Sequence, residues 1–428
     1  MDYHWILPFE PTPFDWKKKG DHWLSQLSHI ASEVLGADSH VNLDTEGIEG
    51  HLQIEATAVT AGVAMDARLL IELRDGEKPQ FFLVGNSDAP NPEDSSRWVE
   101  LANRAKTAMS RPRQHFKWMA AIGQVPGMIP SSVIRLNAAS KVSSLRISPS
   151  GKRLAEVRPC PGSISAWRPS AFNPIIVRGK SEGHDWWAAQ KTAAIELNKL
   201  AGILSIAWGT CIGIRELPVP LELGQLEIPD TIPWISDAAV TNHRAQAGEH
   251  DRAVSMPDWA QAGWQILGKR NKVHAALSIY MEGERLEGEH PSLSLVAFVS
   301  SIETIALEIF RIDESEKIAE TFREVLKLAV GSQRAEKISF AYTRRSRTVH
   351  AGRLHGNEFM RGQFSIEFTA PPNEEFWWIL HLMHDAARRL LLRVLRGEVS
   401  AEKFRRGEVS EPDDAARLPI VGSARFTG

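Results

Sequence analysis

Leu295, Phe298, Ile302, Ile305 and Ile309 recur at alternating steps of three and four residues. That spacing lays them in one apolar stripe along an α-helix. The same period returns along the C-terminal part of the chain. Trp259, Trp264, Ile266 and Leu267 mark a helix that follows Ser255-Met-Pro-Asp258. There Ser255 is the expected N-cap, Pro257 an early helical residue, and Asp258 the answer to the cap three residues on. After a break near Gly268 the pattern continues through His274 to Tyr280. Phe322, Val325, Leu326 and Ala329 begin a third helix. A fourth is expected from Arg334 to His350, ending at Gly352, a favoured residue just past a helix end. Phe376 to Leu395 makes a fifth, with Arg388, Arg389, Arg393 and Arg396 late in it. Helices of this kind form an antiparallel bundle, here over residues 251–400.

A chain of 428 residues is too long for one ordinary core, so two or three domains are expected. The sequence predicts an α+β multidomain protein, with a mixed α/β sensor or regulatory region over residues 1–178. The segment from Gly50 to Val59 alternates with the period of a strand. Leu69–Leu73 and Phe81–Val84 read as further strands, with Arg74-Asp75-Gly76 as a turn between them. Ser95–Ser110 reads as a helix. Ser144–Ser148, then Pro149-Ser150-Gly151, then Leu154–Val157 read as a hairpin.

Residues 179–250 are expected to hold an apolar helix that runs on to Ile214, followed by a proline-rich connector at Leu217-Pro-Val-Pro-Leu221 and Ile228–Trp234. Residues 401–428 read as a charged, flexible tail, where Lys403, Arg405 and Arg406 offer weak phosphate contacts.

A formal net charge of −3 excludes a globally basic nucleic-acid coat, so any such site must be a local patch. Cys160 and Cys211 are the only cysteines, too few for a disulfide framework and in keeping with a reducing cytoplasm. Met1-Asp-Tyr-His-Trp5 lacks the basic start and apolar core of a signal peptide. The run Leu200–Ile214 falls short of the roughly 20 residues that span a bilayer and reads as a buried helix. Most of the 14 tryptophans are expected in cores, while Trp186-Trp187 and Trp377-Trp378 are candidate stacking or partner surfaces.

One stretch carries chemistry. Arg344-Arg-Ser-Arg-Thr-Val-His350 places Arg345 and His350 in an R-x-x-x-x-H spacing, with Arg347, Arg353 and His355 close by. Metal-free RNA cleavage needs a group to take the 2′-hydroxyl proton, a group to protonate the leaving 5′-oxygen, and a cation for the phosphorane. Histidine titrates near neutral pH and can serve either proton role. Arginine stays cationic and grips phosphate oxygens in a planar fork. On one helix Arg345 and His350 lie about 140° apart. A single copy is therefore a poor site, whereas two bundles about a two-fold axis bring two arginines and two histidines into one cleft. Ser346 and His350, four residues apart, do share a face. The competing reading is a solvated helix end, whose cations the helix dipole alone favours.

The Arg-Ser-Arg-Thr-Val-His-Ala-Gly wording, set between two apolar helices, resembles the HEPN domain, and within it the ApeA-like branch of bacterial defence proteins. The resemblance covers about a third of the chain. It implies that Arg345 and His350 are an RNA-cleaving pair, that Ser346 takes the polar position after the arginine, and that the bundle dimerises. It also implies that Glu308 matches a glutamate of the family's Ala-Leu-Glu segment, placed to pair with an arginine of the catalytic helix or to form a plain salt bridge. Arg344, Arg347 and Arg353 become RNA-binding candidates.

The expected function is a metal-independent endoribonuclease in cytoplasmic antiviral defence. Its partners would be RNA, a second copy of the chain and a phage trigger or regulatory protein, with no cofactor, metal or membrane. Two alternatives stay open: an inactive dimerisation or RNA-binding module, and an enzyme whose site lies within residues 1–240. His381-x-x-His384-Asp385 is a weak zinc candidate with no third ligand near in sequence. No phosphate-binding glycine loop, nucleophile elbow or H-E-x-x-H motif is present.

Overall fold

A computed structural model describes residues 3–10, 15–48, 51–74, 77–109, 112–125, 133–151, 154–159, 167–221, 252–287, 290–310, 318–351 and 374–412. The fold is mixed α/β, with sheets toward the N-terminus and helices toward the C-terminus. It divides into two compact units: residues 1–115 with 182–189, and residues 116–181 with 190–428. The division thus falls after His115, far before the expected boundary at 178.

The first unit is a sheet with two helices. β1 (Trp5–Pro8), β2 (Ser39–Ile48), β3 (His51–Thr60), β4 (Val63–Ala64), β5 (Arg68–Arg74) and β6 (Gln80–Gly85) run in the order β1-β6-β5-β3-β2, with β4 on β3. The pairings are antiparallel. Alternation decides the buried face: Ile54, Ala56 and Ala58 of β3 join Leu69, Ile71 and Leu83 in one core. α1 (Trp16–Leu35) and α2 (Pro92–Met109) bring Trp23, Leu27, Trp98 and Leu101 onto that core. Both tryptophans keep a partner for the indole N–H: Trp23 donates to the Ala102 carbonyl at 3.2 Å and Trp98 to that of Ala67 at 2.7 Å. The expected strands and the helix at 95–110 are present. α1 and β2 were not expected from the sequence, and Asp75-Gly76 lie outside the described residues.

The second unit opens with β7 (Gln114–Gln124), β8 (Ile134–Leu136), β9 (Ser140–Val142), β10 (Leu145–Pro149), β11 (Leu154–Pro159), β12 (Trp167–Phe172) and β13 (Ile175–Gly183). α3 (Trp186–Trp208) and β14 (Ile212–Pro220) follow, and the main sheet runs β14-β7-β13-β10-β9. Two expectations change here. β10 pairs with β9 and β13, and β11 with β12, so the strands at 144–148 and 154–157 are not one hairpin. The apolar helix does not reach Ile214. Gly209, at φ +65°, ends α3, and Ile212 pairs with Gln124 in the sheet. A left-handed residue just past a helix end is the usual stop signal. The prolines at 218 and 220 sit on the edge strand β14, where a missing N–H is tolerated.

After β15 (Arg252–Val254), which pairs in parallel with β8, the chain is helical. The helices are α4 (Ala260–Lys269), α5 (Asn271–Leu286), α6 (Pro291–Phe310), α7 (Ile318–Val330), α8 (Ser332–Ile338), α9 (Ala341–Ala351), α10 (Glu374–Leu395) and α11 (Ala401–Arg405). α6 is the centre: Leu295, Phe298, Ile302, Ile305 and Ile309 are all buried, as their stripe predicts. α6 alone among the described residues is long and apolar enough to cross a membrane, and 56% of that stretch is buried inside the fold.

Three local expectations are corrected. α4 starts at Ala260 with Trp259 at the cap, so Ser255 does not cap it. The helix expected over 334–350 is two, α8 and α9, broken at Ser339-Phe340. The first part of the tail, residues 401–412, is structured: Ser400 caps α11 by accepting from Lys403 N–H at 3.2 Å, and Phe404 packs on Phe310, while residues 413–428 lie outside the described residues. Lys403 and Arg406 bond locally, to the Gly397 carbonyl and to Glu402. Gly352, His355 and most of the connector at 217–250 lie outside the described residues.

Candidate nucleic-acid interface

α9 is a short helix of high positive charge, Ala341-Tyr-Thr-Arg-Arg-Ser-Arg-Thr-Val-His-Ala351. Ala341 and Thr348 are its buried residues, and the Thr348 hydroxyl donates to the Arg344 carbonyl one turn back at 3.2 Å. Arg345 turns toward α6, where one Nη lies 3.2 Å from Glu303. Glu303 is almost wholly buried and Arg345 is about three-quarters buried. Burial pushes the Glu303 carboxyl up, while Arg345 and the Ser300 hydroxyl pull it down; the net shift is upward. The Arg345 Nε is buried without a hydrogen-bond partner. Tyr342, one turn before Ser346, has its hydroxyl pKa raised by burial and by the Glu303 charge.

His350 is on another side of the helix and is exposed, as is Arg347. Neither lies in an ion pair among the described residues. Ser346 is half-buried. Arg344 packs over the Phe340 ring and pairs with Glu375 at the start of α10, 2.9 Å away. Within one chain Arg345 and His350 are thus held to different surroundings, as their angular offset requires. Arg353 lies outside the described residues.

Glu308 does not meet the arginine helix. It pairs with Arg270, between α4 and α5, at 2.8 Å. The carboxylate that holds Arg345 is Glu303, which sequence reasoning missed. Glu303 and Glu308 are five residues apart and so flank the apolar stripe on opposite sides, about 140° apart. The stripe shows that both border the core, and nothing in it shows which side α9 takes.

The histidines of α10 have separate partners. His384 meets the Tyr280 hydroxyl at 2.8 Å and Glu284 at 3.4 Å, and stacks on Phe298 with ring centroids 4.9 Å apart. Burial opposes its charged form, but the Glu284 hydrogen bond and the charges of Glu287 and Glu284 outweigh burial and raise its pKa. His381 pairs with Glu287 at 3.4 Å, and Asp385 with Arg389 at 2.7 Å. Among the described residues no three such ligands gather for a metal.

Chemically, α9 offers an exposed imidazole, an exposed guanidinium and a guanidinium tethered at one edge. Those groups suit a phosphodiester: cations for its oxygens and a proton carrier for its ester. Comparison of the chain with protein-family models, curated proteins and solved structures gave no match.

Proposed function

We propose that the chain is a metal-independent endoribonuclease with an ApeA-like HEPN bundle, acting in cytoplasmic antiviral defence or abortive infection. The observation that carries this reading is the split on α9: Arg345 tethered through Glu303 and His350 free in solvent. A fixed cation and an accessible imidazole on one helix are the two halves of a phosphoryl-transfer site. Their offset calls for a second copy, so the working species is a homodimer through the helical region. His350 moves the proton, Arg345 stabilises the phosphorane, and Arg344 and Arg347 hold the backbone of the RNA. Arg353 and Ser346 support that surface. A phage component or regulatory protein is the expected trigger, with residues 1–178 as a sensor or regulatory region.

The tether also favours a second reading. An arginine already paired with a buried carboxylate can be purely structural, and α9 would then only bind RNA or a second copy. Product analysis separates the two. Incubated with bulk RNA in EDTA, the pure protein should leave 2′,3′-cyclic phosphate and 5′-hydroxyl ends. Intact RNA after prolonged incubation with the dimeric protein would reject catalysis.

A further inference from the structure

Trp378 is the one exposed tryptophan, tyrosine or phenylalanine among the described side chains of the second unit, 48% accessible. Its position is not isolated. Glu375, Trp378 and His381 follow at steps of three along α10 and are all exposed, so they form one ridge. Glu375 at the head of that ridge holds Arg344 of α9 at 2.9 Å. His381 at its other end is fixed by Glu287. The indole therefore stands one turn along α10 from the residue that fastens it to the basic helix, and Arg347 and His350 of that helix face solvent. Its neighbour Trp377 turns toward the fold, half-buried against Phe376 and His381. An indole with about half its surface in water leaves apolar area uncovered.

We infer that Trp378 is a base-stacking platform for the RNA held by α9, and that it makes single-stranded RNA the preferred substrate. The inference rests on the nucleic-acid reading of α9 given above. The physical basis is general. Cations bind phosphate in any nucleic acid, but an indole face can stack only on a base that is not already stacked between neighbours in a duplex. Every base has a π-face, so the platform tolerates sequence while it rejects paired strands. Charge and ring together supply the two contacts that a flexible single strand offers, one to its backbone and one to its bases.

The test uses the full chain carrying His350→Ala, so that RNA is not consumed. Fluorescein-labelled oligouridylate and a blunt RNA duplex of equal length are titrated by anisotropy. The single strand should bind more tightly than the duplex. Trp378→Ala should weaken single-strand binding about tenfold, leaving duplex binding unchanged, and Trp378→Phe should restore most of the loss. Trp378 is exposed, so circular dichroism and mass by light scattering should be unaltered. Equal binding of the single strand by the alanine variant overturns the inference. So does a fall in mass from dimer to monomer, which would make the ridge a contact between copies. If wild-type protein cleaves RNA and Trp378→Ala binds it normally, stacking is wrong and the nuclease reading survives. If binding depends on Trp378 and no cleavage occurs, the platform stands and the nuclease reading falls.

Discussion

Arg345 shows how one pairing decides what a residue can do. Its guanidinium is three-quarters buried, and Glu303 is its one carboxylate contact among the described residues. Removing that carboxylate leaves a largely buried cation whose Nε already lacks a partner. Glu303→Ala should therefore lower stability by about 1–3 kcal/mol, read from the denaturant midpoint. An unchanged midpoint would mean that Arg345 finds water without cost. Sequence reading found Arg345 and His350 because their chemistry is written in their types and spacing. It did not find Glu303, because burial next to Ile302 disguises a charged residue as a stripe neighbour. It assigned the carboxylate role to Glu308, whose partner is Arg270 from a helix break that no spacing relates to α6.

At the scale of elements, α10 is fastened to α5 by His384 on Tyr280 and Glu284, and by His381 on Glu287. The His384 pKa is raised in the folded protein. A raised histidine pKa gives stability that is complete below the unfolded value, about 6.5, and is lost as pH rises through the folded value. The melting temperature should fall across that window, and His384→Gln should flatten the fall. A slope unchanged by the substitution would assign the pH dependence elsewhere. The first unit behaves oppositely. Burial and the neighbouring His184 lower the pKa of His22, and burial lowers that of His29, so acid below about 6.5 works against it.

Elements with a strong period were legible. The stripe of α6 and the alternation of β3 each name their own buried face. Ends and partners were not. Ile212 and Ile214 extend the apolar run of α3, and only Gly209 marks the change to a strand. The break at Ser339-Phe340 has neither proline nor glycine. Strand partners across β9 to β13 depend on chain reversals that local sequence does not rank.

At the scale of the molecule, the C-terminal helices do not stand apart from α3, which precedes them in the second unit. Within the second unit, a side chain at Gly202 of α3 would meet Leu277 of α5 at 2.6 Å. Arg388 of α10 donates to the Ile206 carbonyl at 2.9 Å, and Arg252 donates to that of Trp208. These cations occupy carbonyls that the end of α3 leaves open. A fragment of residues 250–428, the division that the sequence suggests, loses α3 and exposes this packing. It should be insoluble or melt without cooperativity, while a chain that keeps residues 116–428 retains a sharp transition. A cooperative, soluble 250–428 fragment would contradict this view of the unit.

The central claim is that α9 carries a ribonuclease centre in which His350 moves the proton. Its most direct measurement is the rate at which full-length protein cuts a labelled RNA in EDTA, wild type against His350→Ala. The exposed position of His350 predicts unchanged melting and unchanged mass in the variant. The account predicts a fall in rate of about 10²–10⁴. Cleavage at the wild-type rate by His350→Ala would contradict it.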